Sequence, residues 1–462
     1  MTESTVTIEA TDLSPITRVG EAEDAWLRQL ARRAEADTLA LRLSGRNAEQ
    51  EPIVYFDACR GSWWTGRYIG EVAYQDGTLR ILPRFGIPQL GRWLGLIWGV
   101  RILSSRGKYE TSRLWLWELL AKLWEARLLA AAKHGLPARR VEETYRGATV
   151  RGRLDIRSTA RELGTGRRNL VSRSRNRSVD REIASVLLCA FENLRGQLRH
   201  LGDHRTWLTP RAQSIIGGLQ GQYGHRVPVS SVEIKRPIRY TPITESYRPA
   251  VDLSLAIIRQ RPMSSAAAGQ QDVFGALIDM AEVWEMYIYQ LLNTSLIELD
   301  VCHTGRAEEN EEHLLRSTST GERLGGLKPD ILIRSLGSRG ILAVLDAKYK
   351  NTTRQSDRPF GVHREDLYQM IAYLSSLGQK NASINGGLVY PAGAGEPAIN
   401  ELQDSSPWSI RRTESAFWFL GVDCSSGSIG ADGLTTGEVK FVERMRSLTE
   451  SDETIRRVLV GV

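Results

Sequence analysis

The chain has 462 residues, 41% of them apolar and 25% charged. That suffices for roughly two to four domains with sizeable cores and excludes a disordered or fibrous protein. The net charge is +7, from 61 Lys and Arg against 54 Asp and Glu, too little for a histone-like tail binder but compatible with nucleic acid as a partner.

The surplus is local. Between Arg139 and Arg181 stand thirteen Arg, no Lys and five acids (Glu142, Glu143, Asp155, Glu162, Asp180), a net of +8, so the rest of the chain nets −1. Cys59, Cys189, Cys302 and Cys424 are scattered, which argues against a metal knuckle or disulfide framework and fits a reducing compartment. The N-terminus lacks a basic stretch followed by an apolar core, and the longest apolar run, Trp93 to Leu103, carries Arg101 and is too short to span a bilayer. A cytoplasmic protein with no membrane partner is expected. His200 and His204 stand four apart, but no HExxH glutamate accompanies them and Gly202 weakens the helix between, so they are not read as a zinc site.

In chain order, residues 1–110 read as a β-rich N-terminal domain. After a helical spacing over Glu21 to Ala36, the runs TLALRL, PIVYFDA, GRYIGEVAY and TLRILPRF are strand-like, with Asp76-Gly77 as a hairpin dipeptide. Close succession of short strands suggests a small barrel or sandwich. Residues 111–275 read as a helical and Arg-rich middle section. RLWLWELLAKLWEARLLAAAKHG places Leu116, Leu119, Leu120, Leu123, Trp124 and Leu128 in one stripe, so its Trp residues read as core. SVDREIASVLLCAFENLRGQL is a second amphipathic helix, and SSAAAGQQ (264–271) reads as a loop. Within the basic segment, Arg151, Arg153, Arg173, Arg175 and Arg177 are candidates for contact with nucleic acid or an acidic partner, against a merely solvated connection between helices.

Residues 276–462 read as a mixed α/β domain. FGALIDMAEVWEMYIYQLLNTSL is expected to be one helix of about six turns. Strands follow at 330–334 and 341–345, then a helix at 364–377, a strand at 387–390, and another in AFWFLGVD. The most informative string is LKPDILIRSLGSRGILAVLDAKYK, residues 327–350. Two strands joined by LGSRG bring Asp330 toward Asp346, and alternation puts Asp346 and Lys348 on one face while Ala347 points away.

Two carboxylates and an ammonium in one cleft suit metal-assisted phosphodiester hydrolysis. Mg²⁺, with Mn²⁺ as an alternative, takes one or two carboxylates plus water and phosphate oxygens. Asp330, Asp346 and the Ala347 carbonyl are the expected ligands, and Lys348 would orient water or stabilise transition-state charge. Glu285, on the preceding helix, is a further candidate. Gln369 and Tyr373 stand at i, i+4 on one helical face and are candidates to contact Lys348, metal-bound water or DNA. No GxxxxGK[ST] loop occurs, so no nucleotide is expected to bind this chain itself.

With VWEMYIYQLL, KPDILI, LDAKYK and YQMIAY on the page, the third section resembles the nuclease domain of the McrC subunit of McrBC-type modification-dependent restriction systems. GSWWTGRYIGEVAYQDGTLRILPRFG resembles that family's N-terminal hairpin, with Arg84 where lysine is usual. RGATVRGRLDIRSTAR and RNRSVDREI resemble its segments after the long helix. The resemblance implies a restriction-endonuclease-like PD-(D/E)xK core and a Mg²⁺-dependent DNA endonuclease acting on modified duplex. It also implies a ring-forming McrB-like AAA+ GTPase as partner, stimulated by the docked N-terminal section. The alternatives are a stand-alone repair-type nuclease and a non-catalytic, GTPase-stimulating assembly subunit.

Overall fold

The computed structural model describes residues 6–41, 51–98, 115–198, 207–223, 238–259, 273–304, 312–337, 340–354, 360–378, 384–393, 397–410, 415–425, 429–430 and 433–460. His200, His204 and the expected loop at 264–271 lie outside them. The chain forms two compact units: residues 1–110 with 263–462, and residues 111–262. The first and third sections of the sequence therefore share one unit, and the middle section forms the other.

The first unit holds two main sheets. One has five strands in the order Val6–Thr11, Gly77–Leu82, Tyr68–Tyr74, Val273–Asp279, Ala40–Leu41. Among the described residues its two end strands do not pair, so it is an open sheet there rather than the expected barrel or sandwich, and Val54–Asp57 and Ser62–Thr65 form a separate hairpin. Ile8, Trp26, Leu27, Leu30, Val72 and Leu79 form its core.

The fourth strand corrects the single long helix expected from residue 274. Val273–Asp279 pairs antiparallel with Tyr68–Tyr74, and the helix begins only at Met280. An apolar run buried on both faces has no period to separate strand from helix. Asp279 marks the change: its side chain accepts the Ala281 N–H at 2.9 Å, capping the first turn.

The other main sheet runs Leu299–His303, Ile331–Ser335, Ile341–Ala347, Asn385–Ala392, Ala416–Asp423, Trp408–Ser409. Among the first three strands each neighbouring pair is antiparallel, and Ile341–Ala347, Asn385–Ala392 and Ala416–Asp423 are parallel. The helix Arg364–Leu377 is the crossover between the first two parallel strands, the usual way of joining parallel neighbours. Gly386 lets it lie close: a Cβ there would sit 2.5 Å from Leu374 Cδ1. On the same sheet, Trp284 of helix Met280–Ser295 donates its indole N–H to the Val389 carbonyl at 3.0 Å.

The second unit is less purely helical than expected. The long helix Trp115–Ala131 and the helix Arg181–Leu198 are present, with Trp124 fully buried. The Arg-rich segment between them, however, is mainly strand. Ala138–Gly147 and Leu170–Val179 pair antiparallel over ten residues, and Arg153–Leu154 adds a third, short strand. Two ten-residue runs pair here because each ladder bond satisfies a backbone group that a solvated connection would leave to water. Overall the protein is mixed α/β. Among the described residues no helix is long and apolar enough to cross a membrane.

Candidate active site

The candidate site forms at the C-terminal end of Ile341–Ala347. Ile331 stands opposite Leu345 in the antiparallel ladder, which carries Asp330 to the level of Asp346. The Ala347 N–H donates to Asp330 Oδ2 at 2.8 Å. Asp346 is 2% exposed and ion-paired with Lys348, so the two share a face as alternation requires.

Burial, then the neighbouring Asp346 and Glu285 carboxylates, pushes Asp330 well above the usual aspartate range, against the pull of Lys348. Burial also raises Asp346, with Lys348 and a hydrogen bond from Asp330 opposing. Burial works against the Lys348 ammonium, but Asp346, Asp366 and Asp330 outweigh it and hold its pKa above the ordinary lysine value.

Gln369 and Tyr373 join this cluster from the crossover helix. Lys348 Nζ donates to Gln369 Oε1 at 2.8 Å. Gln369 Nε2 donates to the Tyr373 hydroxyl at 2.9 Å, and that hydroxyl donates to the Lys328 carbonyl at 3.1 Å. The chain of bonds ties the lysine to the segment that leads into Asp330. Glu285 reaches the same region, with Oε1 2.7 Å from His303 Nε2.

Three residues of this cluster escaped the sequence reading. Asp366, 3% exposed, lies between two ammonium groups: Lys350 Nζ is 2.8 Å and Lys348 Nζ 3.8 Å from its Oδ1. Both had a signal. Lys350 continues the alternation of Asp346 and Lys348, and Asp366 stands three residues before Gln369 on the same helical face. His303 had none, because only the packing of helix Met280–Ser295 against strand Leu299–His303 brings it to Glu285.

Arg151, Arg153, Arg173, Arg175 and Arg177 belong to the other unit. All are exposed. Arg173 Nη2 lies 2.8 Å from Asp155 and the Arg151 guanidinium 4.3 Å from the Tyr145 ring centre.

An oxygen donor set of Asp330, Asp346 and the Ala347 carbonyl suits a hard divalent cation. Among the described residues no three His, Cys, Asp or Glu side chains converge to hold a metal. Mg²⁺ needs no more than one or two carboxylates, so the pair fits it better than a cation that demands a full protein cage.

The fold and this centre define a mixed α/β protein with a carboxylate pair and a lysine at one strand end. The family model described as "McrBC 5-methylcytosine restriction system component" matches residues 64–391. The chain belongs to that family, in agreement with the McrC-like resemblance of its motifs. Among solved structures, it is similar to a chain of the refined half-complex from the tetradecameric assembly of Thermococcus gammatolerans McrB AAA+ hexamers with bound McrC. The two are 16% identical, the match covers 96% of this chain and 100% of that one, and the TM-score is 0.52. A chain of the Thermococcus gammatolerans McrBC complex solved by cryo-electron microscopy is 19% identical, with 63% and 88% covered and a TM-score of 0.38. Comparison with curated proteins finds no match.

Proposed function

We propose that this chain is the McrC-type subunit of a McrBC-type restriction system and its Mg²⁺-dependent DNA endonuclease, with a PD-(D/E)xK core in residues 276–462. The observation that carries the reading is the convergence of Asp330, Asp346 and Lys348 at one strand end, with Lys348 held by Gln369. Burial alone gives no reason to gather two carboxylates and an ammonium there, because buried charges cost stability unless something uses them.

Asp330, Asp346 and the Ala347 carbonyl would hold the cation, which when bound acidifies water and neutralises charge on the scissile phosphate. Gln369 fixes the Lys348 ammonium, which would bear on the phosphate or the attacking water. Asp366 pairs with both Lys348 and Lys350 and holds their ammonium groups in place. Glu285 adds negative charge beside Asp330 and is itself oriented by His303. An AAA+ ring like McrB is the proposed partner, with GTP hydrolysis on that chain and none on this one.

The test is plasmid cleavage by the purified chain with Mg²⁺, with and without the GTP-loaded partner. Cleavage that needs the partner and is lost in Asp346→Asn supports the proposal. Cleavage without partner or GTP would favour the stand-alone nuclease. GTPase stimulation with no cleavage and no calorimetric Mg²⁺ or Mn²⁺ binding would favour the assembly subunit.

A further inference from the structure

The strand bearing Asp346 loses its sheet partner just where the lysines begin. Its last register pair is Ala347 with Val389, and the Lys348 N–H donates to the Val389 carbonyl at 2.8 Å. The next three residues are each bonded from the N-terminal section of the chain. The Tyr349 hydroxyl donates to Asp12 Oδ2 at 2.8 Å. The Arg84 guanidinium lies 4.7 Å from the Tyr349 ring centre and donates through Nη2 to the Lys350 carbonyl at 3.2 Å. Asn351 Nδ2 donates to the Leu13 carbonyl at 3.4 Å.

Asp12 and Arg84 are themselves fixed at the end of the five-stranded sheet. The Asp12 N–H donates to the Leu82 carbonyl at 3.0 Å, and Asp12 Oδ1 accepts the Arg84 N–H at 2.6 Å. Asp12 is fully buried and Tyr349 is 2% exposed. The Tyr349 ring also packs edge-on against Phe85 and Trp93, at 6.3 and 6.4 Å between centroids. Aromatic packing alone would bury this tyrosine. Hydrogen bonds and a cation add direction, and the bond to the Lys350 carbonyl acts on the main chain.

We propose that Asp12, Arg84 and Tyr349 form a positioning clamp by which the N-terminal sheet sets the Lys348 and Lys350 side chains against Asp346 and Asp366. Alternation makes this work: residue 349 is gripped on one side of the chain, so residues 348 and 350 present to the other. The three are positioning residues, and the inference rests on the nuclease reading for its catalytic consequence. A displacement of about 1 Å at a reacting group can cost on the order of 100-fold in rate.

The experiment uses the full-length chain with its GTP-loaded partner and compares wild type, Arg84→Ala, Arg84→Lys and Tyr349→Phe. Arg84→Ala should lower kcat about 10- to 100-fold with KM for DNA unchanged, and Arg84→Lys, which keeps a cation at the ring, should recover most of it. Amide hydrogen exchange in the chain alone should rise about 10-fold at residues 347–351 in Arg84→Ala and Tyr349→Phe, with the remaining sheet unchanged. Unchanged exchange at 347–351 overturns the clamp, whether or not the wild type cleaves DNA. Raised exchange with unchanged kcat overturns its positioning role. Wild-type protein that never cleaves defeats the nuclease reading, while exchange still decides the clamp. Tyr349→Phe removes only a hydroxyl and keeps the test open if Arg84→Ala fails to fold.

Discussion

The carboxylate–lysine centre and the arginine ribbon carry the chain's two main concentrations of charge, and they are built on opposite terms. Asp346 is 2% exposed and Lys348 16%, whereas the Arg173 side chain is 52% exposed. At the centre each charge is fixed by named partners in a medium that screens little. On the ribbon, Arg140 stands opposite Arg177, Glu142 opposite Arg175, and Arg173 opposite both Thr144 and Arg153. Alternation therefore puts six arginines, Arg146 among them, and one glutamate on one face, including two like-charged cross-strand pairs that are unfavourable by themselves. Buried charge can be aimed at one atom. Exposed charge of one sign is suited to a broad anionic surface and weakens with salt over a distance of about 8 Å at physiological ionic strength.

That contrast can be broken by experiment. The largest effect is expected at the centre: Asp346→Ala or Lys348→Ala should reduce plasmid cleavage at least about 1000-fold while circular dichroism and partner binding stay as in the wild type. Retained cleavage would remove the functional reading of the buried charges. Next, Asp366→Asn should lower kcat about 10- to 100-fold with little change in KM, measured by steady-state cleavage, because it removes the carboxylate charge beside Lys350 and Lys348 without touching the carboxylate pair.

On the ribbon, replacing Arg173, Arg175 and Arg177 together with Gln should leave single-turnover cleavage of saturating DNA intact. If the face tracks a phosphate backbone, the slope of log affinity against log salt should become shallower by up to about 2.7, measured by fluorescence anisotropy. An unchanged slope with weakened assembly would assign the face to the protein partner, and no change in either would leave it a solvated surface.

The smallest effect concerns Asp12, whose pKa burial raises from 3.8 to about 6 against the pull of Arg84 and Tyr349. A carboxyl raised in the folded chain holds its proton more tightly there than when unfolded. Its contribution to stability is full below about pH 3.8 and lost as pH rises through about 6. Asp12→Asn should therefore gain on the wild type by up to about 3 kcal/mol between pH 4 and 7, read from urea midpoints at each pH. A constant difference across that range would show that Asp12 does not titrate in the folded chain.

The candidate site was readable where its geometry is local. Asp330, Asp346 and Lys348 belong to one hairpin, and Gln369 and Tyr373 to one helical turn, so alternation and the i, i+4 spacing suffice to group them. Asp366 and Lys350 obeyed the same two periods and went unread. The strand Val273–Asp279 was misread because an apolar run buried on both faces has no period, and the arginine ribbon because its charge hid its pairing. Asp12 and Tyr349 lie 337 positions apart, and nothing in either segment names the other.

The sequence by itself determined the strands and helices that alternate or repeat, the charged residues brought together within a single hairpin, and the motifs that mark the family. Only the tertiary structure decided that residues 1–110 close on residues 263–462, that His303 meets Glu285, and that Asp12 and Arg84 hold the strand end bearing the lysines. The reason is physical: periodicity records which face of an element is buried, whereas the partner on the far side of that face is chosen by packing and by the pairing of buried polar groups across the whole chain.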